Sequence, residues 1–306
     1  MIKALKLCAA ALISVLLLFS FCGCDTYAPR EEQYDGYTLY RNYRYGIHKR
    51  NMLDVALPDG ATGELGLVLM IHGGGWHAGD KEVYEGELAA WASRGYAAAA
   101  INYRYASKSV HAEDILDDIE AALSYVKKHA EGYGITLNGV ILTGGSAGGH
   151  LSLLYAYSRG ESSPIEPRAV ISYSGPTDLY DENFYAESEI LEDIEEMISK
   201  ISGTEATRER REDAKDVLSA ASPTSYVASA VPTVICHGTD DPIVPVSNAY
   251  TLDELLTAQG VEHELIIFKN SGHGLEADPD STARANDAFL EYAQKYLKRA
   301  HAEADQ

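Results

Sequence analysis

The chain has 306 residues, of which 25 are basic and 46 are acidic, so its formal net charge at pH 7 is −21. Nucleic-acid binding needs a cationic surface, so this charge argues against a nucleic-acid partner, and it also disfavours anionic substrates and anionic lipid surfaces. A chain of this length can bury a large single core.

Residues 1–23 are predicted to be a lipoprotein-type signal peptide. Lys3 and Lys6 precede an apolar run over residues 7–21, which is shorter than the roughly 20 residues that cross a bilayer as a helix. The small residue before Cys24 resembles the lipobox of bacterial lipoproteins, although Phe21 departs from the usual aliphatic residue. This resemblance implies lipidation of Cys24 and an extracytoplasmic protein anchored to a bacterial membrane. An ordinary secretory signal and a short membrane anchor are the alternatives.

After cleavage before Cys24, the mature chain would keep only Cys24 and Cys236. Cys236 lies in a predicted core strand and is most simply a small buried apolar side chain. No disulfide framework is therefore expected.

Residues 24–45 are interpreted as a tether and N-terminal segment, with residues 26–33 as its polar part, and residues 46–300 as the main domain. Residues 52–57 alternate polar and apolar side chains and end at Pro58, which predicts a strand. Continuous apolar runs, typical of strands covered on both faces, occupy residues 67–71, 96–101, 140–142, 169–171, 233–235 and 265–268.

Amphipathic helices are predicted between these strands. Ile115, Ile119 and Val126 recur at helical spacing in one of them, and a further helix contains Ala285 and Tyr292. Alternation of strands and helices predicts an α/β fold, in which a mostly parallel sheet carries helices on both faces.

Residues 176–222 are too long for a single connecting helix. The segment is strongly acidic, and Ile190, Leu191, Ile194, Met197 and Ile198 recur within it at helical spacing. We interpret it as an inserted helical cap with its apolar side over the site. The alternative is a surface excursion that never meets substrate.

The sequence Gly144-Gly-Ser146-Ala-Gly148 follows a predicted strand and precedes a predicted helix. Glycines two residues either side of the serine permit a sharp turn without Cβ clashes. The serine oxygen would then stand above a helix N-terminus, which is the arrangement of a nucleophile. A glycine-rich turn with a capping serine is the alternative.

Three consecutive glycines, in the sequence His72-Gly-Gly-Gly-Trp76, follow the strand predicted for residues 67–71. Glycines at a strand end let backbone N–H groups turn towards a ligand, here the oxyanion of a tetrahedral intermediate. A phosphate-binding glycine loop is disfavoured because no Lys-Ser or Lys-Thr pair follows.

The remaining chemical groups follow the last two predicted strands. Asp240 and Asp241 lie after residues 233–235, at the sheet edge that also carries Ser146, and either could serve as an acid. His273 is flanked by Gly272 and Gly274 on a loop, as suits a general base.

Together these motifs resemble the α/β-hydrolase fold, whose triad runs in the order serine, acid, histidine. More narrowly, residues 72–81 and 144–151 are similar to those of bacterial carboxylesterases with acetyl-xylan- and feruloyl-esterase-like members, near the hormone-sensitive-lipase-like esterases. The resemblance implies a serine ester hydrolase that acts on short-chain or acetyl esters without a metal or cofactor. An anchor outside the cell suits substrates too large to import, such as acylated polysaccharide.

The resemblance also implies residue roles. Ser146 would be the nucleophile, His273 the base and Asp241 the acid, preferred to Asp240 because it precedes the Pro-x-Val-Pro segment. The backbone N–H groups of Gly74, Gly75 and Ala147 would donate to the oxyanion. Trp76 would either line the acyl pocket or serve in packing.

Two other functions remain compatible with the motifs. A serine amidase, peptidase or arylformamidase could use the same fold, and a lipid-anchored binding protein could retain the scaffold without catalysis. The oligomeric state is not predicted.

Overall fold

The structure is a computed structural model that describes residues 28–186 and 188–300. The predicted signal peptide and Cys24 lie outside the described residues. None of the helices within these ranges is long and apolar enough to cross a membrane.

Nine strands form one sheet, in the spatial order β1-β2-β3-β5-β4-β6-β7-β8-β9. The strands are β1 (Arg30–Tyr34), β2 (Tyr37–Arg44), β3 (Met52–Pro58), β4 (Gly63–Ile71), β5 (Ala97–Asn102), β6 (Ile135–Gly145), β7 (Pro167–Tyr173), β8 (Thr233–Gly238) and β9 (His263–Phe268). Strands β4 to β9 pair in parallel, whereas the first three join the sheet in antiparallel fashion. The predicted mostly parallel sheet is confirmed, and its carboxyl ends meet at one edge.

The sequence predicts a tether and N-terminal segment at residues 24–45, and the structure places β1 and β2 of this segment in the sheet, with β1 beginning inside the polar part at residues 26–33. The polar sequence of β1 misled the prediction: this edge strand is mostly exposed and needs no alternation of apolar residues. Strand β2 packs largely through tyrosines, which are common in strands but carry a polar hydroxyl.

Helices cover both faces of the sheet, as predicted. They are α1 (Glu85–Ser93), α2 (Ala112–Glu131), α3 (Ala147–Arg159), α4 (Leu191–Ser202), α5 (Lys215–Ala220), α6 (Ser247–Gln259) and α7 (Pro279–Tyr296). Alternate residues of each strand point to opposite faces, so Val68 packs in the layer with α1 and α7, and Leu67 in the layer with α2 and α3. Both faces of β4 are therefore apolar.

The predicted cap segment contains α4 and α5. Helix α4 buries Ile194, Ile198 and Ile201 and exposes acidic side chains to water. Its C-terminal end is held to the main domain by a hydrogen bond between His111 Nδ1 and the Lys200 carbonyl oxygen, at 2.9 Å.

A buried ion pair fixes the chain just after the glycine loop. Lys81 and Asp54 are each 1% exposed, and their charged atoms lie 2.9 Å apart. Asn42 completes the cluster, since its Oδ1 accepts from Lys81 Nζ at 2.8 Å and its backbone N–H donates to Asp54 Oδ1 at 2.7 Å. The cluster joins β2 and β3 to the segment that carries the glycine loop.

We predict that Lys81→Met lowers the free energy of unfolding by about 3–5 kcal/mol, because it leaves the Asp54 carboxylate buried without its counter-charge. Urea denaturation followed by circular dichroism measures the change. Lys298→Met is the matched control, since Lys298 and Glu64 form an exposed pair that is worth less than about 1 kcal/mol. Equal losses in the two variants would contradict the prediction.

Candidate active site

The candidate nucleophile occupies the turn between β6 and α3. Ser146 has φ 55° and ψ −123°, which is unusual for a residue with a side chain. The turn packs against the end of β4 so closely that a β-carbon on Gly144 or Gly148 would collide with the carbonyl oxygen of Ile71. Glycine is therefore required on both sides of the serine.

The turn also places the serine at a helix N-terminus. The Ser146 amide donates to the Tyr173 carbonyl oxygen at 2.7 Å, which ties the turn to β7. Helix α3 begins at Ala147, and the first N–H groups of a helix carry the positive end of its dipole without a partner inside the helix. The Ala147 amide is thus available to a negative charge formed next to Ser146.

The glycine loop after β4 lies against this turn. A β-carbon on Gly73 would come within 2.7 Å of the Gly145 carbonyl oxygen and 3.4 Å of the Ser146 β-carbon. Gly74 and Gly75 have φ values of 104° and 55°, in the region that favours glycine. Within the described part of the chain, the N–H groups of these two glycines donate to no other protein atom, so they are free to bind an oxyanion.

His72 fixes the base of the loop. Its ring is 1% exposed and stacks on Tyr103, and its Nδ1 lies 2.8 Å from the Gly73 carbonyl oxygen. Its Nε2 lies 3.1 Å from a guanidinium nitrogen of Arg50 and must accept, because a guanidinium only donates. Burial lowers the pKa of His72 to about 4, so a neutral imidazole supports the loop at neutral pH.

The candidate acid and base meet at the carboxyl ends of β8 and β9. His273 Nδ1 lies 2.7 Å from Asp241 Oδ2, and the Asp241 side chain is fully buried. Asp240 is exposed and makes no such contact. The geometry leaves His273 Nε2 as the atom that can exchange a proton at the site.

Two backbone amides and the His237 ring also surround Asp241. Its Oδ1 accepts from the Ile243 and Val244 amides at 2.9 and 3.0 Å. His237 Nε2, whose nearest acceptor is the Val244 carbonyl oxygen at 2.9 Å, lies 3.3 Å from Asp241 Oδ2. Burial alone would raise the pKa of Asp241, but the hydrogen bonds from His237, His273 and Val244 outweigh burial and hold that pKa well below its ordinary value of 3.8. Asp241 is therefore a carboxylate that can stabilise a protonated His273.

Ser146 and His273 border one cavity of about 470 Å³. No hydrogen bond joins Ser146 Oγ to His273 among the described residues; such bonds often tighten only when substrate is present. The other lining residues come from the glycine loop, the turn before α1, the strand ends, the loop that carries His273, and α7: Gly73, Tyr84, Gly145, Tyr173, Phe268, Gly274, Leu275, Thr282, Ala285 and Asn286.

Trp76 is not among the residues that line this cavity, which favours the packing role over a place in the acyl pocket. The side chain is 4% exposed and its indole nitrogen donates to His150 Nδ1 at 3.1 Å. Its backbone has φ 61°, which is strained for a bulky residue and costs about 1–3 kcal/mol. The backbone turns at Trp76 in a way that directs the indole into the interior.

The cap reaches the glycine loop at Met197. A β-carbon on Gly75 would collide with the sulfur of Met197, which lies on α4. Glycine at position 75 thus serves both the loop conformation and the fit of the cap. Met197 thus gives α4 a contact with the glycine loop, whereas the residues that line the cavity beside Ser146 include none from α4.

The structure brings together most of the residues selected from the sequence. Ser146, His273 and Asp241 lie at one sheet edge, with Gly74 and Gly75 beside them. Sequence reasoning missed the cavity-lining residues of α7, because exposed helix positions such as Asn286 carry no signal of their own. No group of three or more His, Cys, Asp or Glu side chains is gathered as a metal site would need, within the ranges that the structure describes.

A family model named BD-FAE matches residues 53–256, which is more than half of the chain. The chain belongs to the BD-FAE family. A second model, that of the dienelactone hydrolase family, matches residues 218–304. The BD-FAE match contains Ser146 and Asp241, and the second match contains Asp241 and His273.

Two curated relatives come from Mycobacterium tuberculosis. The probable carboxylic ester hydrolase LipM is 31% identical over 229 residues, and esterase LipQ is 30% identical over 224 residues. Each alignment covers 69% of this chain and 51% of the relative, so the BD-FAE chain spans about half the length of these relatives.

A truncated carbohydrate esterase from gut microbiota has a similar solved structure. Its TM-score is 0.69 at 22% identity, with coverage of 87% of this chain and 100% of that one. At this identity the likeness shows a shared fold. Together with the sheet order, it confirms the predicted α/β-hydrolase fold.

The lowered pKa of Asp241 has a consequence for stability. A carboxyl whose pKa is depressed on folding stabilises the native state above its unfolded pKa, and this contribution is lost as the pH falls towards the folded pKa. We predict that wild type is more stable than Asp241→Asn at pH 5 and that the difference shrinks as the pH falls below 3.8. Urea denaturation of both proteins from pH 5 to pH 3 tests this, and a constant difference would contradict it.

Proposed function

We propose that this protein hydrolyses carboxylic esters through an acyl-enzyme formed on Ser146. The observation that carries the proposal is the 2.7 Å contact between His273 and the buried Asp241 carboxylate, at a cavity that Ser146 also borders. The names of the relatives LipM and LipQ, a probable carboxylic ester hydrolase and an esterase, support the same activity.

In the proposed reaction, Ser146 Oγ attacks the ester carbonyl carbon while His273 Nε2 takes the hydroxyl proton. Asp241 holds the imidazole in the required tautomer and stabilises the imidazolium. The carbonyl oxygen becomes an oxyanion, which the amides of Gly74, Gly75 and Ala147 would bind. The carbon–oxygen bond to the alcohol then breaks, and the alcohol leaves with the proton from His273.

Deacylation repeats these steps with water. A water molecule gives a proton to His273 Nε2 as its oxygen attacks the acyl carbon, and the same three amides hold the second oxyanion. His273 then returns the proton to Ser146 Oγ, so the carboxylic acid leaves and the free enzyme is restored.

We predict that Ser146→Ala lowers kcat for p-nitrophenyl acetate by at least about 10⁴-fold, because the acyl-enzyme can no longer form. The variant should keep the circular dichroism spectrum of wild type. Wild type should also be labelled by a fluorophosphonate probe, and Ser146→Ala should not.

Ser163→Ala is a matched control, since Ser163 lies beyond the C-terminal end of α3, bonds to the Tyr155 hydroxyl and the Ile165 carbonyl oxygen, and does not line the cavity. It should retain wild-type turnover and labelling. Near-wild-type turnover by Ser146→Ala would exclude Ser146 as the nucleophile.

The space around Ser146 indicates how large the acyl and alcohol portions of the substrate can be. His273 must reach the leaving oxygen, so the alcohol portion would lie on the side of His273, where the cavity of about 470 Å³ opens. On the other side, Met197 of the cap lies against Gly75 and limits the space beside the oxyanion loop. We therefore favour a short acyl group, such as acetyl, on a larger alcohol such as a polysaccharide.

We predict that kcat/KM falls about tenfold or more from p-nitrophenyl acetate to the octanoate, because the longer acyl chain must displace the cap. Met197→Ala should reduce this preference while leaving the rate on acetate nearly unchanged. A kcat/KM that rises with acyl length in wild type would contradict the assignment. An envelope location through Cys24 stays a prediction from residues 1–24.

A further inference from the structure

Two buried rings outside the triad join the glycine loop to the nucleophile helix. The Trp76 indole nitrogen donates to His150 Nδ1 at 3.1 Å, and His150 Nε2 lies 2.8 Å from the Ala221 carbonyl oxygen. Trp76 is 4% exposed and His150 is 0% exposed. The connection therefore runs from the loop, through α3, to the end of the cap segment.

The partners determine the state of the imidazole. An indole N–H can only donate, so His150 Nδ1 must be an acceptor without a proton. The ring proton is then on Nε2, which donates to the Ala221 carbonyl oxygen. Burial lowers the pKa of His150 to about 4, in agreement with a neutral ring.

His150 is also tied directly to the nucleophile. It lies one turn after Ser146 in α3, and its amide donates to the Ser146 carbonyl oxygen at 3.0 Å. Trp76 directly follows Gly75, whose amide is one of the proposed oxyanion donors. A single side-chain hydrogen bond thus spans the two segments whose separation sets the geometry of the oxyanion hole.

Trp76 needs such a restraint. Its φ of 61° lies in the left-handed region, which bulky side chains rarely adopt without support from their surroundings. The support includes the indole bond to His150 and a backbone bond in which the Ala106 amide donates to the Trp76 carbonyl oxygen at 2.8 Å. The His77 and Ala78 amides also donate to the Gly74 carbonyl oxygen, at 3.1 and 2.9 Å, and so close the backbone turn around Trp76 without holding its side chain. Without the indole bond, the loop can relax and move the Gly75 amide.

We infer that Trp76 and His150 are positioning residues that hold the oxyanion loop in register with Ser146, an inference that rests on the proposed ester hydrolysis. Neither residue touches the reacting atoms. Their hydrogen bond affects the transition state more than the bound substrate, because the loop amides bind most strongly when the oxyanion has formed. Its loss should therefore lower kcat and leave KM nearly unchanged.

A purely structural role gives a different result. If the rings only fill space, His150→Leu, which keeps nearly the side-chain volume of histidine and removes both ring nitrogens, should leave kcat unchanged, whatever it does to stability. Trp76→Phe removes the N–H donor together with part of the indole, so it is compared with the same truncation at Trp91. His150→Asn keeps an acceptor near the position of Nδ1.

The test measures kcat and KM for p-nitrophenyl acetate in these three variants. We expect kcat to fall roughly 10- to 100-fold in Trp76→Phe and His150→Leu, with KM changed less than about threefold, since a misplaced group costs up to about 100-fold. His150→Asn should recover most of the loss. Hydrogen exchange of residues 73–78 should be faster in Trp76→Phe than in wild type.

Trp91→Phe is the matched control, because Trp91 is the other tryptophan of the chain and packs in the opposite layer with α1 and α7. It should keep wild-type kcat. Should His150→Leu fail to fold, the comparison of kcat between Trp76→Phe and Trp91→Phe, both with the circular dichroism spectrum of wild type, decides between the positioning role and a space-filling role.

The possible failures can be told apart. Wild-type kcat in folded Trp76→Phe, alongside normal fluorophosphonate labelling of wild type, would overturn the positioning role and leave the ester hydrolase intact. Wild type that neither hydrolyses esters nor takes the probe would overturn the proposed function and the positioning role with it.

Discussion

The close approach of β4 to the serine turn is the contact on which the site depends. The carbonyl oxygen of Ile71 lies so near Gly144 and Gly148 that neither position can carry a side chain. Because β4 continues directly into the glycine loop, this contact also brings Gly73 beside Ser146. The nucleophile and the proposed oxyanion donors are thus placed by backbone packing rather than by flexible side chains.

Buried histidines then keep these backbone segments in place. His72 lies under the glycine loop, and His150 joins the loop to α3. His237 lies 3.3 Å from the same Asp241 oxygen that His273 contacts. The pKa of both His72 and His150 is lowered to about 4 by burial, so each offers one donor and one acceptor at neutral pH. His273 differs because its side chain is 22% exposed and borders the cavity, as a proton carrier must.

The sequence predicts those parts of the fold that depend on local pattern. Buried strands read as apolar runs, and Gly148 marks a turn in which a β-carbon has no room. The sequence does not predict β1, because this strand is exposed and polar and therefore lacks an apolar pattern. It forms through backbone pairing with the neighbouring strand β2. The partnership of Trp76 and His150 escapes it too, because residues 74 positions apart meet only when the sheet is assembled.

The most direct test of this account is a crystal structure of the protein after reaction with a phosphonate ester, which mimics the tetrahedral intermediate. We expect phosphorus to be bonded to Ser146 Oγ. The phosphoryl oxygen should lie about 3 Å from backbone nitrogens of Gly74, Gly75 and Ala147. His273 Nε2 should lie on the leaving-group side while Trp76 still donates to His150. An adduct on another residue, or a phosphoryl oxygen that meets none of these amides, would contradict the account.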